Sequence, residues 1–164
     1  MFRSCESVKT VKLSDTITSI GGYAFYSCYA LTKIEMPNTV SSWGNFCFQV
    51  CKNLTSIGPH GSGASIEIPD SLQNIPLLCF GGCTKLTTVV LPKNIKMLAE
   101  NCFSGCTALT SFTLLNPTPP TLRSNALSNT NNCPIYVPAE SVNAYKTATN
   151  WISLASRIQA LPTT

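Results

Sequence analysis

Apolar residues recur along this chain in columns with a period of 23. Cys5, Cys28 and Cys51 stand 23 residues apart, as do Cys83 and Cys106, and a nine-residue insertion separates the two sets. Three residues after each cysteine come Val8, Leu31, Leu54, Leu86 and Leu109. Val11, Ile34, Ile66, Val89 and Phe112 follow, then Leu13, Met36, Ile68, Leu91 and Leu114. One more period leads to Ile135 and Val137. The last two columns lie two residues apart, the spacing that places both side chains on one face of a strand. Six parallel strands are predicted, ending near Leu13, Met36, Ile68, Leu91, Leu114 and Val137. Pro37, Pro69, Pro92 and Pro138 follow directly and end strand pairing. Asp15, Asn38, Asp70 and Asn116 then supply turn chemistry. A second apolar pair comes next: Ile17/Ile20, Val40/Trp43, Leu72/Ile75 and Ile95/Leu98. Each unit closes with Ala24-Phe25, Cys47-Phe48, Cys79-Phe80 or Cys102-Phe103. With the following cysteine these residues sit at i, i+1 and i+4, which predicts a single helical turn.

One unit cannot bury three apolar faces alone, but stacked units can, column on column. The reading is one domain over residues 1–164, with repeats over about 5–138. Residues 58–65 are an insertion before the third strand, and 115–134 form a degenerate unit. From Glu140 the pattern turns helical, with Val142, Tyr145 and Ala148. A second run follows with Trp151, Leu154, Ala155 and Ile158, for which Asn150 is the N-cap candidate. A helical cap over about 139–161 is predicted to shield the last coil. The chain begins almost at a repeat boundary, as expected of a segment from a longer solenoid.

Unit length and spacing fall in the leucine-rich-repeat range. The sequence resembles one branch, the bacterial BspA-type leucine-rich repeats. Leu31-Thr32-Lys33-Ile34-Glu35-Met36-Pro37-Asn38-Thr39-Val40 and Leu86-Thr87-Thr88-Val89-Val90-Leu91-Pro92-Lys93-Asn94-Ile95 carry the likeness. So do the closing Cys-Phe-x-x-Cys turns and the tail from Ile135 to Tyr145. The asparagine ladder of better-known leucine-rich repeats is missing, since only Asn94 stands at its position among Thr16, Thr39 and Ser71. The resemblance implies an α/β solenoid: a right-handed superhelix with a parallel β-sheet on the concave face and short helical turns.

Charge narrows the function classes. Charged residues make up 11% of the chain, against about 25% in a typical soluble domain. Hydroxyl residues outnumber them about two to one, so hydroxyl and amide groups must cover much of the surface. The net charge of +4 comes from scattered Lys and Arg with no basic block, so nucleic-acid binding has little support. No apolar run reaches the ~18 residues of a membrane span. The amino end lacks the pattern of a signal peptide. His60 is the one histidine. Most catalytic triads and histidine-rich metal sites are thereby excluded, and no cofactor is implied.

The nine cysteines pose the sharpest chemical question. Cys47-x3-Cys51, Cys79-x3-Cys83 and Cys102-x3-Cys106 have spacings that zinc accepts. The alternatives are disulfides or a buried thiol ladder. The ladder is expected, because Ala24 replaces Cys47 in the first unit and a core phenylalanine flanks each pair. Residues at i and i+4 of a helix hold their Cβ atoms about 5–6 Å apart, too far for a disulfide's ~3.8 Å. The pairs are therefore expected to be reduced, metal-free and slow to react. His60 in its Gly-rich stretch reads as an exposed insertion, since no phosphate-loop lysine and helix follow. Glu35 and Glu67 are expected as near neighbours on adjacent coils, softened by Lys12 and Lys33.

The remaining surface is the strand face. Lys12, Lys33, Glu35, Glu67, Thr88, Val90, Ser111, Thr113 and Tyr136 all alternate with core columns and point outward. Stacked at about 4.8 Å they form one ribbon, the kind of face solenoids use to bind partners. The expected role is a noncatalytic protein-binding or adhesion module. The alternative is a spacer segment of a longer surface solenoid. The family resemblance implies a secreted or cell-surface location and a host or bacterial surface protein as partner.

Overall fold

The structure, a computed structural model, describes residues 2–58 and 66–162. It is a parallel-sheet solenoid of about six turns. In chain order the strands begin with β1 (Thr10–Lys12), β2 (Ser19–Ile20), β3 (Lys33–Glu35), β4 (Ser42–Trp43) and β5 (Ser56–Gly58). Next come β6 (Ile66–Glu67), β7 (Asn74–Ile75), β8 (Thr88–Leu91) and β9 (Met97–Leu98). Last are β10 (Ser111–Leu114), β11 (Thr121–Leu122), β12 (Ile135–Val137) and β13 (Ile158–Ala160).

One eight-stranded sheet runs β1-β3-β5-β6-β8-β10-β12-β13, and every pairing in it is parallel. All six expected strands lie in it. Ile34, Ile57, Ile66, Val89, Phe112 and Ile135 point inward and are fully buried. A second face holds the short strands, split into β2-β4 and β7-β9-β11. Its inward residues are Ile20, Trp43, Ile75, Leu98 and Leu122, all buried.

The structure corrects the expected single helical turn. Across the closing segment, alternate N–H groups bond differently. Ala24, Tyr26 and Cys28 donate back to Gly21, Tyr23 and Phe25, each three residues earlier. Tyr23, Phe25 and Ser27 donate instead to Asn45, Cys47 and Gln49 of the next rung, at 2.8–3.0 Å. Those donors are then unavailable for the i−4 bonds of an α-helix. The result is a chain of tight turns with two left-handed residues per rung, four apart. Tyr23 and Ser27, Phe46 and Val50, Leu78 and Gly82, and Asn101 and Gly105 all have φ between 50° and 76°. In the degenerate unit Asn125 and Asn129 take these positions, and asparagine tolerates them well. That unit folds as a complete rung, with β11 paired to β9.

Hydroxyl side chains tie successive rungs together. Thr32, Thr55 and Thr110 each donate from Oγ1 to the carbonyl of Lys9, Thr32 and Thr87, at 2.9–3.1 Å. Thr39 donates to the carbonyls of Asp15 and Ile17, and Ser71 to those of Asn38 and Val40. The missing asparagine ladder is thus replaced by a hydroxyl ladder at the same position, which Asn94 continues by donating to the Asp70 carbonyl at 3.3 Å. Ser41 and Thr84 likewise donate to backbone carbonyls of the preceding rung.

The tail departs from an all-helical cap. It contains a 3-10 turn at Ala139–Ser141, one six-residue α-helix, α1 (Val142–Thr147), and a 3-10 stretch at Ile152–Arg157. It ends in β13, which pairs with β12 through Ile135↔Ile158. Asn150 is not an N-cap: it is left-handed (φ 66°), and Trp151 stands at the N-cap position with no side-chain cap bond. Asn150 Nδ2 and Trp151 Nε1 donate to the Leu122 and Pro120 carbonyls at 2.9 and 2.8 Å. Tyr145 Oη donates to the Asn116 carbonyl at 2.7 Å. Side-chain donors thus occupy carbonyls on the last rung.

Candidate functional site

Register fixes the strand face. The inner row runs Lys12, Glu35, Gly58, then Glu67, Val90, Thr113, Tyr136 and Gln159. Thr10, Lys33 and Ser56 form one part of the outer row, and Thr88 and Ser111 another. All nine predicted residues therefore lie on the ribbon. Lys12 is exposed and the other eight are half-buried.

Two details correct the expected electrostatics. Strand β5 intervenes between β3 and β6, so Glu35 faces Gly58 and is separated from Glu67 by two strand spacings, roughly 10 Å. Lys33 Nζ lies 3.0 Å from Glu35 Oε1, so these charges neutralise each other within one strand. The ribbon is a hydroxyl-bearing surface with few charges and, among the described residues, one aromatic, Tyr136.

Strand β5 was missed by sequence reasoning. Its signal was present, since Ile57 stands 23 residues after Ile34. Gly58 and Pro59 break the alternation there, while Ile66-x-Ile68-Pro69 matches the strand signature. Both segments pair, and the sheet gains an extra strand. Ile158 likewise lies one period after Ile135. His60 and the rest of the insertion, 59–65, lie outside the described residues.

A second surface was also missed. Along the closing turns, Arg3 lies over the rings of Tyr23 and Tyr26 at 5.5 and 5.3 Å, and Lys52 over Tyr29 at 5.5 Å. Tyr23 is 38% exposed and Tyr29 41%. Tyr and Arg are the residue types enriched at binding hot spots. No sequence column marks this cluster, because it joins residues on two successive rungs and the amino-terminal segment.

The cysteines form two ladders. Cys28, Cys51, Cys83 and Cys106 donate from Sγ to the carbonyls of Phe2, Phe25, Phe48 and Phe80, at 2.8–3.2 Å. They act as hydrogen-bond donors as well as small core residues. Burial pushes the Cys51 and Cys106 thiols up to about 12, and raises Cys79, Cys83 and Cys102 as well. The second ladder is Cys47, Cys79 and Cys102. Phe2, Phe25, Phe48, Phe80 and Phe103 stack beside them with centroids 5.0–5.5 Å apart.

Comparison with known proteins agrees with this architecture. Among curated proteins none matches the chain. Among solved structures, a leucine rich cell surface protein from Faecalibacterium prausnitzii A2-165 is 23% identical with a TM-score of 0.65. The match covers 94% of this chain and 36% of that one. The pneumococcal vaccine antigen PcpA is 20% identical with a TM-score of 0.69, over 96% of this chain and 41% of the antigen. The chain thus spans well under half the length of either. At this identity the likeness establishes the fold. The family model for the BspA type leucine rich repeat region matches six copies, over residues 1–66 and 60–149. With those repeats spanning nearly all of its rungs, the chain belongs to the BspA-type leucine-rich-repeat family.

Proposed function

We propose that the chain is a noncatalytic binding module whose strand ribbon engages a host or bacterial surface protein in adhesion. The observation that carries this reading is the register of the eight-stranded sheet. It lines up Lys12, Glu35, Glu67, Val90, Thr113 and Tyr136 on a rigid backbone, so little ordering cost attends binding. A secreted or surface location is supported by the description of one solved neighbour as a cell surface protein. No helix among the described residues is long and apolar enough to cross a membrane.

The second reading is a spacer that presents another domain. It is favoured by the pairing of Lys33 with Glu35 and by a ribbon poor in aromatic anchors. The test is binding of the intact chain to immobilised extracellular-matrix and bacterial-surface proteins. A ribbon variant, Lys33→Glu with Thr88→Arg, is compared with a turn-edge variant, Arg3→Glu with Tyr29→Ser. The ribbon variant is expected to lose binding while the turn-edge variant keeps it, with only modest weakening by salt. The opposite outcome in two folded variants moves the site to the Arg3–Tyr23–Tyr26 cluster. No binding by the parent chain across the panel supports the spacer.

A further inference from the structure

The second face is interrupted between β4 and β7, and one residue accounts for it. Gly44, Ala99 and Arg123 each follow a short strand and donate to the preceding rung, to Ile20, Ile75 and Leu98, at 2.8–3.0 Å. Pro76 holds the equivalent position and has no N–H to give. A notch of about 600 Å³ opens there, bordered by Trp43, Asn45, Gln73 and Met97. Asn45 Oδ1 partly restores the link by accepting from the Leu77 N–H at 3.3 Å.

Beside this gap two thiols meet. The Sγ atoms of Cys47 and Cys79 lie 3.3 Å apart, and both residues are fully buried. The Cys5 and Cys28 side chains also interact, but Cys5 is only half-buried. The neighbouring ladder turns its sulfurs to carbonyls instead. Cys47 and Cys79 sit on adjacent rungs held by the Phe48 N–H to Cys79 carbonyl bond, 3.0 Å long. The spacing of hydrogen-bonded strands, about 4.8 Å, lies within the Cα separation a disulfide accepts, about 4.4–6.8 Å. The sulfurs need close only from 3.3 Å to the bonding distance of about 2.05 Å.

We infer that Cys47 and Cys79 form a rung-to-rung disulfide when the chain folds in an oxidising compartment, and that this bond staples the joint where the second face is broken. A low-molecular-weight disulfide such as oxidised glutathione is the oxidant. One protein thiolate attacks it, releasing one small thiol and leaving a mixed disulfide. The second protein thiolate displaces the other small thiol as the Sγ–Sγ bond forms. Two electrons and two protons pass from the protein to the small disulfide, which leaves as two thiols. Burial sets the timing. The native pair is sealed, and burial holds the Cys79 thiol well above its ordinary value, so exchange proceeds while this joint is open during folding. Once closed, the bond lies inside the core and resists reduction.

The experiment refolds the full chain with oxidised and reduced glutathione, then blocks free thiols and maps linkages. A protease that cuts after phenylalanine serves, because Phe48 and Phe80 separate Cys47 from Cys51 and Cys79 from Cys83. One disulfide joining Cys47 to Cys79 is expected. Thermal unfolding should rise by about 5 °C or more over the reduced chain. Cys47→Ala, which reproduces Ala24 of the first unit, should fold and show no redox-dependent shift. Free thiols at both positions after oxidative folding overturn the inference. A link to any other cysteine also overturns it, as does a Cys47–Cys79 bond that lowers the melting temperature.

Discussion

The joint between the rungs of β8 and β10 differs from the joint between those of β4 and β7. The first is tied three times. Four residue pairs align in the main sheet, Thr88↔Ser111 to Leu91↔Leu114. Strands β9 and β11 pair on the second face, and Asn101, Phe103 and Gly105 bond across the closing turns. The second joint keeps its closing-turn bonds, from Phe46, Phe48 and Val50, but has lost the second-face ladder. Its main-sheet side is also spread by β5. The aromatic stack still runs through it, with Phe48 and Phe80 at 5.4 Å and Trp43 edge-on to both. Rung cohesion is therefore redundant: a solenoid can lose one ladder, and even open a notch there, where stacked side chains still bridge the joint.

That redundancy can be broken. Phe80→Ala removes the fully buried ring at the weakened joint and is expected to cost about 3–5 kcal/mol in chemical denaturation. Phe103→Ala, at a joint with every ladder intact, should cost less. An equal or larger loss for Phe103 would show that the missing ladder has no energetic weight. Alkali tests two thiols on rungs that border these joints, Cys51 and Cys106. Unfolded thiols ionise near their ordinary value of 9.0, whereas Cys51 and Cys106 in the fold ionise only near 12. Their raised values add stability that is fully present below pH 9. It is lost as pH rises from 9 to 12, by an amount on the order of a few kcal/mol for each thiol. Urea midpoints measured across that window check it, and a flat profile would show the thiols to be accessible.

Smaller effects sharpen the contrast. A Cβ on Gly44 would collide with the backbone of Gly22, so Gly44→Ala should cost about 1–3 kcal/mol. Gly21→Ala, which meets nothing within 4 Å, is the control. Val50 is left-handed at φ 60°, in the column where Gly82 and Gly105 follow. Val50→Gly should raise stability by about 0.5–1 kcal/mol, since the left-handed penalty outweighs the glycine entropy. Pro76→Ala should change stability least, by under about 1 kcal/mol. Its new amide should nevertheless exchange slowly as it finds the Trp43 carbonyl. Rapid exchange would mean that Pro76 is a consequence of the gap and not its cause.

Much of the fold was legible in the chain. The columns through Leu31, Ile34, Met36 and their equivalents predict core positions that are buried except in the first unit, where Val8 and Val11 are half-buried. Burial in a solenoid follows a local two-residue alternation repeated at a fixed period, and among the described residues no rung precedes the first unit. The ribbon residues follow from the same alternation. Strand β5 was harder, since Ile57 obeyed the period while Gly58 and Pro59 denied the local pattern. Asn150 shows the limit for the tail: its side chain suits an N-cap and equally suits a left-handed turn bonded to Leu122.

The closing turns mark where local pattern stops deciding. Cys47, Phe48 and Cys51 have a spacing that serves a helical turn or successive tight turns equally well. The choice rests with Gly81, Cys79 and Leu77, whose carbonyls on the next rung draw off alternate N–H groups. The same holds for the meeting of Cys47 with Cys79, and for Arg3 over Tyr23 and Tyr26. The spacing of apolar residues dictates which side chains face inward, because that depends only on the backbone's own geometry. Which donors, sulfurs and rings meet across rungs depends on stacking, because their partners lie 20 or more residues away and are set by the neighbouring coil's register.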